Sequence, residues 1–264
     1  MTLPIYLVNL DRRPDRLEAM AKVLDGLGLP FRRFSAVDAK ARPEGRLHPR
    51  VVTEGHVIPM GRGSQAYAAS MLRCFEEILA GPGAEQDAVI MLQDDVMLSR
   101  DFARFCADDS WIPEEIGLVQ LEKWQERKPL KLLGNPILQM PGAAVHRDLR
   151  RLYMRTGGAA AFWIRRRVIR QIVEGSFEVR FPADHLLFSP NVSPVYAQAG
   201  VAIVTPALAT QTWDNPSDIK ADRLSARTWR SDLRRSVTEV NRLPMQLALM
   251  ATGRARMMDP GYAE

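Results

Sequence analysis

Two pairs of adjacent side chains in this sequence have the makings of a reactive site. Asp94 and Asp95 come directly after an unbroken apolar run, residues 88–92, and Gln93 in the stretch AVIMLQDDVMLSRDF. Carboxylate oxygens are hard donors. Mg²⁺ or Mn²⁺ commonly takes one or two of them and completes its shell with substrate phosphates. The same two acids could instead cap a helix or open a turn, as Asp often does. Further along, RFPADHLLF sets Asp184 beside His185. Such a pair can supply a general base or a metal ligand. A helix N-cap Asp with a surface His next to it accounts for the same letters. A third group, Arg12, Arg13 and Arg16, clusters after the first apolar run, where a diphosphate would sit in a nucleotide-binding domain. Arginines solvated on a helix's first turn are the alternative.

These groups need elements to hold them. Five apolar residues in a row, 88–92, read as a strand buried on both faces, and such a strand delivers the next few residues to the carboxyl edge of a sheet. If the chain stays extended, Gln93 and Asp95 point one way and Asp94 the other. Residues 3–10 read as a first strand, and Pro14 suits the first turn of a helix. Leu17, Met20, Leu24 and Leu27 step along one face of that helix, and Gly28 is placed to end it. Residues 31–36 form a second strand ending at Val37 and Asp38, with neither a dinucleotide fingerprint nor a P-loop in this opening.

Residues 39–62 read as a long loop over the sheet edge. Ser64 is placed to cap a helix to about residue 80, with Ala68, Leu72, Phe75 and Leu79 on its core face, and Ser99 to cap a short helix through residue 105. A strand is expected over 116–121, then a polar, proline-punctuated segment to about residue 146. Residues 156–167, TGGAAAFWIRRR, read as a tight turn, a small-residue strand and the start of a helix. The small side chains at 157–161 permit close approach of a ligand or another backbone. Residues 201–205 read as an edge or closing strand.

At 264 residues and 46% apolar content, the chain suits one large domain, or one domain with an appendage. Cys74 and Cys106 make no disulfide framework and no zinc spacing, so both are expected as buried free thiols in a reducing compartment. Neither a signal peptide nor an 18-residue apolar stretch is present, so the expectation is a cytoplasmic protein. The net charge of +5 is lopsided: residues 223–256 hold eight arginines against Asp232 and Glu239, 8 − 2 = +6, leaving the body at −1. A nearly neutral body argues against nucleic acid as the partner. In that tail Trp229, Leu233, Val237, Val240 and Leu243 step by 4, 4, 3 and 3. This basic amphipathic helix either lies on an anionic membrane, at the inner face, or packs on the domain or on a second subunit of a homodimer.

Seven blocks, IYLVNLDRRPDR, FRRFSAVDA, SMLRCFEEIL, VIMLQDDVMLSRDF, TGGAAAFWI, PADHLL and TPALATQ with SDI after it, fall in order over about residues 3–220. Together they resemble bacterial glycosyltransferase family 25, whose members build lipooligosaccharide and other surface glycans and whose relatives include collagen galactosyltransferases. The resemblance implies an α/β, GT-A-like fold over residues 1–220, a Rossmann-type, mixed and mostly parallel sheet flanked by helices, with a basic helical extension over 221–264. It implies an inverting transfer of galactose or glucose from a UDP-sugar, with Mn²⁺ or Mg²⁺, to a hydroxyl of a lipopolysaccharide, an exopolysaccharide or another lipid-linked glycan. By position, Asp95 would contact the metal and Asp94 the donor's ribose or sugar. Val8, Asn9, Leu10, Arg12, Arg16 and Asp38 would edge the donor site. Asp184 and His185 would serve as base, with His185 also a candidate metal ligand. The chain departs from the family pattern at two places: Gln93-Asp94-Asp95 stands for Glu-Asp-Asp, and Ser70-Met71 for Ser-His. A relative that keeps the fold and serves as a non-catalytic partner in surface-polysaccharide assembly is the second reading.

Overall fold

A computed structural model describes residues 2–55, 57–124, 130–211 and 237–264. Its main sheet has nine strands: β1 (Ile5–Asn9), β2 (Arg32–Ser35), β3 (Ala88–Gln93), β5 (Leu118–Gln120), β7 (Lys131–Gln139), β8 (Asp148–Leu152), β9 (Ala161–Arg165), β10 (Val201–Thr205) and β12 (Ala255–Met258). They lie in the order β12-β7-β8-β10-β5-β9-β3-β1-β2. A second sheet of three strands, β4 (Val96–Leu98), β11 (Ala209–Gln211) and β6 (Glu122–Lys123), has β11 at its centre. The helices are α1 (Pro14–Gly26), α2 (Arg62–Ala80), α3 (Phe102–Ala107), α4 (Arg166–Glu174), α5 (Ala183–Phe188), α6 (Tyr196–Ala199) and α7 (Leu243–Ala251).

The main sheet is mixed. β2, β1, β3, β5, β10 and β7 run in one direction, while β9, β8 and β12 oppose them. This is the expected mixed, Rossmann-type α/β sheet flanked by helices, but it is not mostly parallel: five of its eight strand pairings are antiparallel. Alternate residues of one strand feed opposite layers: Val89 and Met91 of β3 join one hydrophobic core, Ala88, Ile90 and Leu92 the other. β1 divides the same way, Tyr6 and Val8 against Ile5 and Leu7. Burial on both faces is why these segments read as continuous apolar runs.

Several expectations are corrected. β10 lies inside the sheet, between β5 and β8, not at an edge. Ser64 does not cap α2, which starts at Arg62 after Gly61. Ser99 does not cap α3: its hydroxyl is buried and accepts from Arg147 Nη2 at 2.7 Å. The proline-punctuated segment contains β7, bulged near Pro136, and β8 comes after it. The tail returns a strand, β12, antiparallel to β7. Trp229 and Leu233 of the expected tail stripe lie outside the described residues. Both cysteines are free and buried, and burial pushes the Cys74 thiol up to about 12. Among the described residues no helix is long and apolar enough to cross a membrane.

Candidate active site

The carboxyl ends of β1 and β3 open onto a cleft of about 420 Å³, within the ~300–1,000 Å³ range of ligand pockets. Val8, Leu10, Arg12 and Arg16 line it from the first strand and helix. Ala36 to Lys40 and Pro43 contribute from the long loop, and Arg62, Ser64, Tyr67 and Ser70 from the start of α2. Gln93, Asp94, Asp95, Trp124, Gly158, Asp184 and Gln211 also line it.

Asp94 and Asp95 form a turn between β3 and β4, so the alternation expected of an extended chain stops at Gln93. Both carboxylates therefore meet one guanidinium: Arg16 Nη1 is 3.5 Å from Asp94 Oδ1 and 3.5 Å from Asp95 Oδ2. Arg16 is not a solvated first-turn arginine; it is buried, and its Nε and Nη2 have no hydrogen-bond partner among the described residues. Burial raises the Asp95 pKa above its ordinary value; Arg16 opposes the shift and Asp94 adds to it.

Asn9, 1% exposed and off the cleft lining, positions Asp94 from behind β1. Its Nδ2 donates to Asp94 Oδ2 at 2.6 Å and to the Arg13 carbonyl at 3.0 Å, while its Oδ1 accepts from Arg33 Nε at 3.1 Å. Asp38 accepts from Arg12 Nε at 2.9 Å and from the Lys40 amide at 2.9 Å, tying the loop to the turn before α1. Arg13 turns instead to Asp15. Ser70 accepts from the Val37 amide at 2.8 Å and donates to the Ala66 carbonyl at 2.7 Å, locking β2's exit onto α2. Its neighbour Met71 is fully buried in the core and lines no part of the cleft.

Asp184 is the second residue of α5, whose N-cap is Pro182, so it is not the cap. Its Oδ2 accepts from the Gly158 amide at 3.4 Å and its Oδ1 from the His185 amide at 3.0 Å. His185 is buried and does not line the cleft. Gly158 has φ +88°, and a Cβ there would sit 2.3 Å from Glu122 Oε1. A Cβ on Gly157 would sit 2.6 Å from the Trp124 ring. The small residues of this turn are thus what lets β6 and Trp124 approach the site.

Sequence reasoning missed Tyr67, Glu122 and Trp124. Tyr67 hydrogen-bonds the Ala159 carbonyl and Gln93, and burial raises its pKa. Glu122 Oε1 accepts from the Ala160 amide at 2.6 Å. Tyr67 sits on the predicted helix but off the apolar stripe, and Glu122 and Trp124 lie at the end of an expected strand with no motif to mark them. Among the described residues no three or more His, Cys, Asp and Glu side chains gather into a metal cage. One or two carboxylates at the cleft fit a hard cation whose remaining ligands come from a bound phosphate.

A profile of the family described as "Glycosyltransferase family 25 (LPS biosynthesis protein)" matches residues 2–187. A "Glycosyltransferase 25 family member" from Aedes aegypti is 31% identical over 107 residues, 38% of this chain and 17% of that protein. Another of that name from Anopheles gambiae is 30% identical over 107 residues, 38% of this chain and 18% of that protein. The match thus spans less than a fifth of either relative.

Proposed function

The chain belongs to glycosyltransferase family 25, and on that premise we propose that the cleft moves a hexose, galactose or glucose, from a UDP-sugar to a hydroxyl of a surface glycan such as lipopolysaccharide or exopolysaccharide, inverting the anomeric carbon. The observation that carries the reading is Arg16 shared by Asp94 and Asp95 at the carboxyl ends of two parallel strands. Open α/β sheets bind their ligands at that edge.

The hard part of the reaction is the departing diphosphate, which gains negative charge as the glycosidic bond breaks. Arg16 has two buried N–H-bearing nitrogens free to receive that charge, and Arg12 lines the same cleft. Mn²⁺ or Mg²⁺ held by Asp95 would supply Lewis-acid stabilisation worth several kcal/mol. Asp94, fixed by Asn9, is assigned to the donor's ribose or sugar. The acceptor oxygen attacks from the face opposite the diphosphate. The bonding pair leaves with the diphosphate, and the acceptor's proton passes to the Asp184 carboxylate. General-base transfer of this kind contributes about 10²- to 10⁴-fold. Two backbone amides orient Asp184 for it. His185, off the cleft lining, receives no metal role.

Titration calorimetry tests the reading. UDP is expected to bind more tightly with Mn²⁺ than with EDTA, and Asp95→Ala to abolish the difference. Equal affinity in both buffers removes the metal. A UDP-hexose hydrolysis screen without acceptor then identifies the donor, with Asp184→Asn lowering turnover but not UDP affinity. Gln93, neutral where the family carries an acid, favours the second reading, a binding partner without turnover. Tight UDP binding with no turnover of any UDP-hexose would establish it.

A further inference from the structure

Helix α7 (Leu243–Ala251) is built inside out. Arg242, Gln246 and Leu249, spaced by 4 and 3, form its half-buried side. Two polar contacts hold that side: Arg242 Nη2 donates to the Pro190 carbonyl at 2.8 Å and Gln246 Nε2 to the Tyr153 carbonyl at 2.9 Å. Leu243, Leu247 and Met250 share the same spacing and are 46%, 52% and 37% exposed. Val240, 61% exposed, extends that stripe by a turn. No residue of α7 is buried. A surface helix of a globular domain normally turns its apolar stripe inward and its polar residues out. Here Arg242 and Gln246 face the protein together with Leu249, while Leu243, Leu247 and Met250 face away. The helix is not loosely attached: the next strand, β12, pairs with β7 in the main sheet, and Asn135 Nδ2 donates to the Gly253 carbonyl at 3.1 Å.

We propose that this face docks on an anionic lipid surface. From residue 240 to residue 258 the chain carries no acid; Arg254 and Arg256 are exposed, Arg242 turns inward to Pro190, and the flanking acids Glu239 and Asp259 pair with Arg155 and Lys123. Exposed arginines that follow an outward apolar stripe in the chain suit an acyl boundary beneath anionic headgroups. A second copy of the chain would instead press the same arginines against their symmetry mates. Nine residues span only about 14 Å, too short for a bilayer core of about 30 Å, so the helix lies in the interface. The docking face is therefore centred on Leu243, Leu247 and Met250, and shares Val240 and Leu243 with the stripe expected from the sequence. It does not depend on the chemistry of the cleft.

The test is flotation of the full chain with phosphatidylcholine vesicles, with and without phosphatidylglycerol. Binding is expected only with phosphatidylglycerol and is expected to fade as salt rises. Leu247→Gln with Met250→Gln should weaken it by about tenfold or more, at unchanged thermal midpoint and unchanged UDP affinity. Leu247→Gln alone serves if the pair misfolds. Arg254→Gln with Arg256→Gln should remove the preference for the anionic lipid. Failure to float with anionic vesicles, equal binding to neutral ones, or indifference to the leucine and methionine changes would overturn the proposal. So would a dimer in sedimentation equilibrium that Leu247→Gln dissolves, which would make a second copy the occupant.

Discussion

Arg16→Met isolates the electrostatic centre of the cleft, because methionine keeps an apolar stem and removes the charge. At 3.5 Å and an effective dielectric of about 20, the gross attraction of Arg16 to each carboxylate is about 5 kcal/mol. Desolvating the guanidinium consumes much of this. Removing one partner of a buried ion pair typically costs about 3–5 kcal/mol. The Asp95 side chain keeps 20% of its exposure, and solvent screening there points to the lower end, about 3 kcal/mol. The pH dependence has a definite sign. Burial raises the Asp95 pKa, and Arg16 is what pulls it back. A carboxyl raised in the folded state contributes stability below its ordinary value of 3.8, and that contribution is lost as pH rises through the folded value. Without Arg16 the folded value climbs further. The variant's deficit should therefore be largest at neutral pH and shrink as the buffer is acidified through the raised range. Urea denaturation at neutral and mildly acidic pH reads this directly. Mn²⁺ should rescue the variant more than the parent, and UDP should bind it more weakly. A variant with the parent's midpoint at neutral pH, or one whose deficit grows in acid, would refute the shared-charge account.

Three further outcomes rest on particular contacts. Gln93→Glu adds a third carboxylate beside Asp94 and Asp95, so the metal-free protein should lose stability at neutral pH while Mn²⁺ binding tightens, both read by thermal shift with and without the ion. Gly158→Ala forces a side chain onto φ +88° and to within 2.3 Å of Glu122 Oε1. It should cost at least about 1–3 kcal/mol and, by moving the amide that Asp184 accepts, lower kcat more than UDP affinity. Asp101→Asn breaks the buried pair with Arg147, whose Nε lies 2.9 Å from Asp101 Oδ2, and should cost about 3–5 kcal/mol. Burial alone would raise Asp101, but the Ala144 amide, Arg147 and the Val145 amide hold it below 3.8, so its contribution is present above the ordinary carboxylate range and lost as pH falls through the depressed value. The gap between parent and variant should close in acid.

The strands legible in the sequence are those buried on both faces. β1, β3, β9 and β10 are apolar runs, and each has five consecutive buried residues. β7 and β8 were hidden by their letters. Asp-Leu-Arg-Arg-Leu reads as a surface, yet Arg150 is 5% exposed, donating to Thr205 Oγ1 at 3.1 Å and to the Gly134 carbonyl at 3.1 Å. Arg147, Arg165 and Arg166 are likewise buried, each donating to backbone carbonyls. A single sequence cannot tell an arginine that satisfies buried carbonyls from one that is solvated, because the distinction lies in partners distant along the chain. The site divides the same way. Asp94 and Asp95 were visible because an apolar run precedes them. Their shared arginine, 78 residues before Asp94, was visible only as one of three basic letters with two readings.

The Asp94–Asp95 turn hangs between two sheets, β3 in the large one and β4 in the small one. β4 is held by β11, with Gln211 opposite Val96, and β11 lies beyond residue 187, where the family match ends. The last residues secure this small sheet in turn. Lys123 of β6 pairs with Asp259 at 3.3 Å, the Ala207 amide donates to the Gly261 carbonyl at 3.0 Å, and Arg147 Nη2 donates to the Ala263 carbonyl at 2.8 Å. Deleting the tail after residue 222 would therefore strip an edge strand from the main sheet and loosen the element that fixes the acids from their far side. Loss of UDP binding after such a deletion would say nothing about lipid. Substitutions on the outward face of α7, where Leu247 is 52% exposed and off the cleft lining, separate docking from folding in a way that truncation does not.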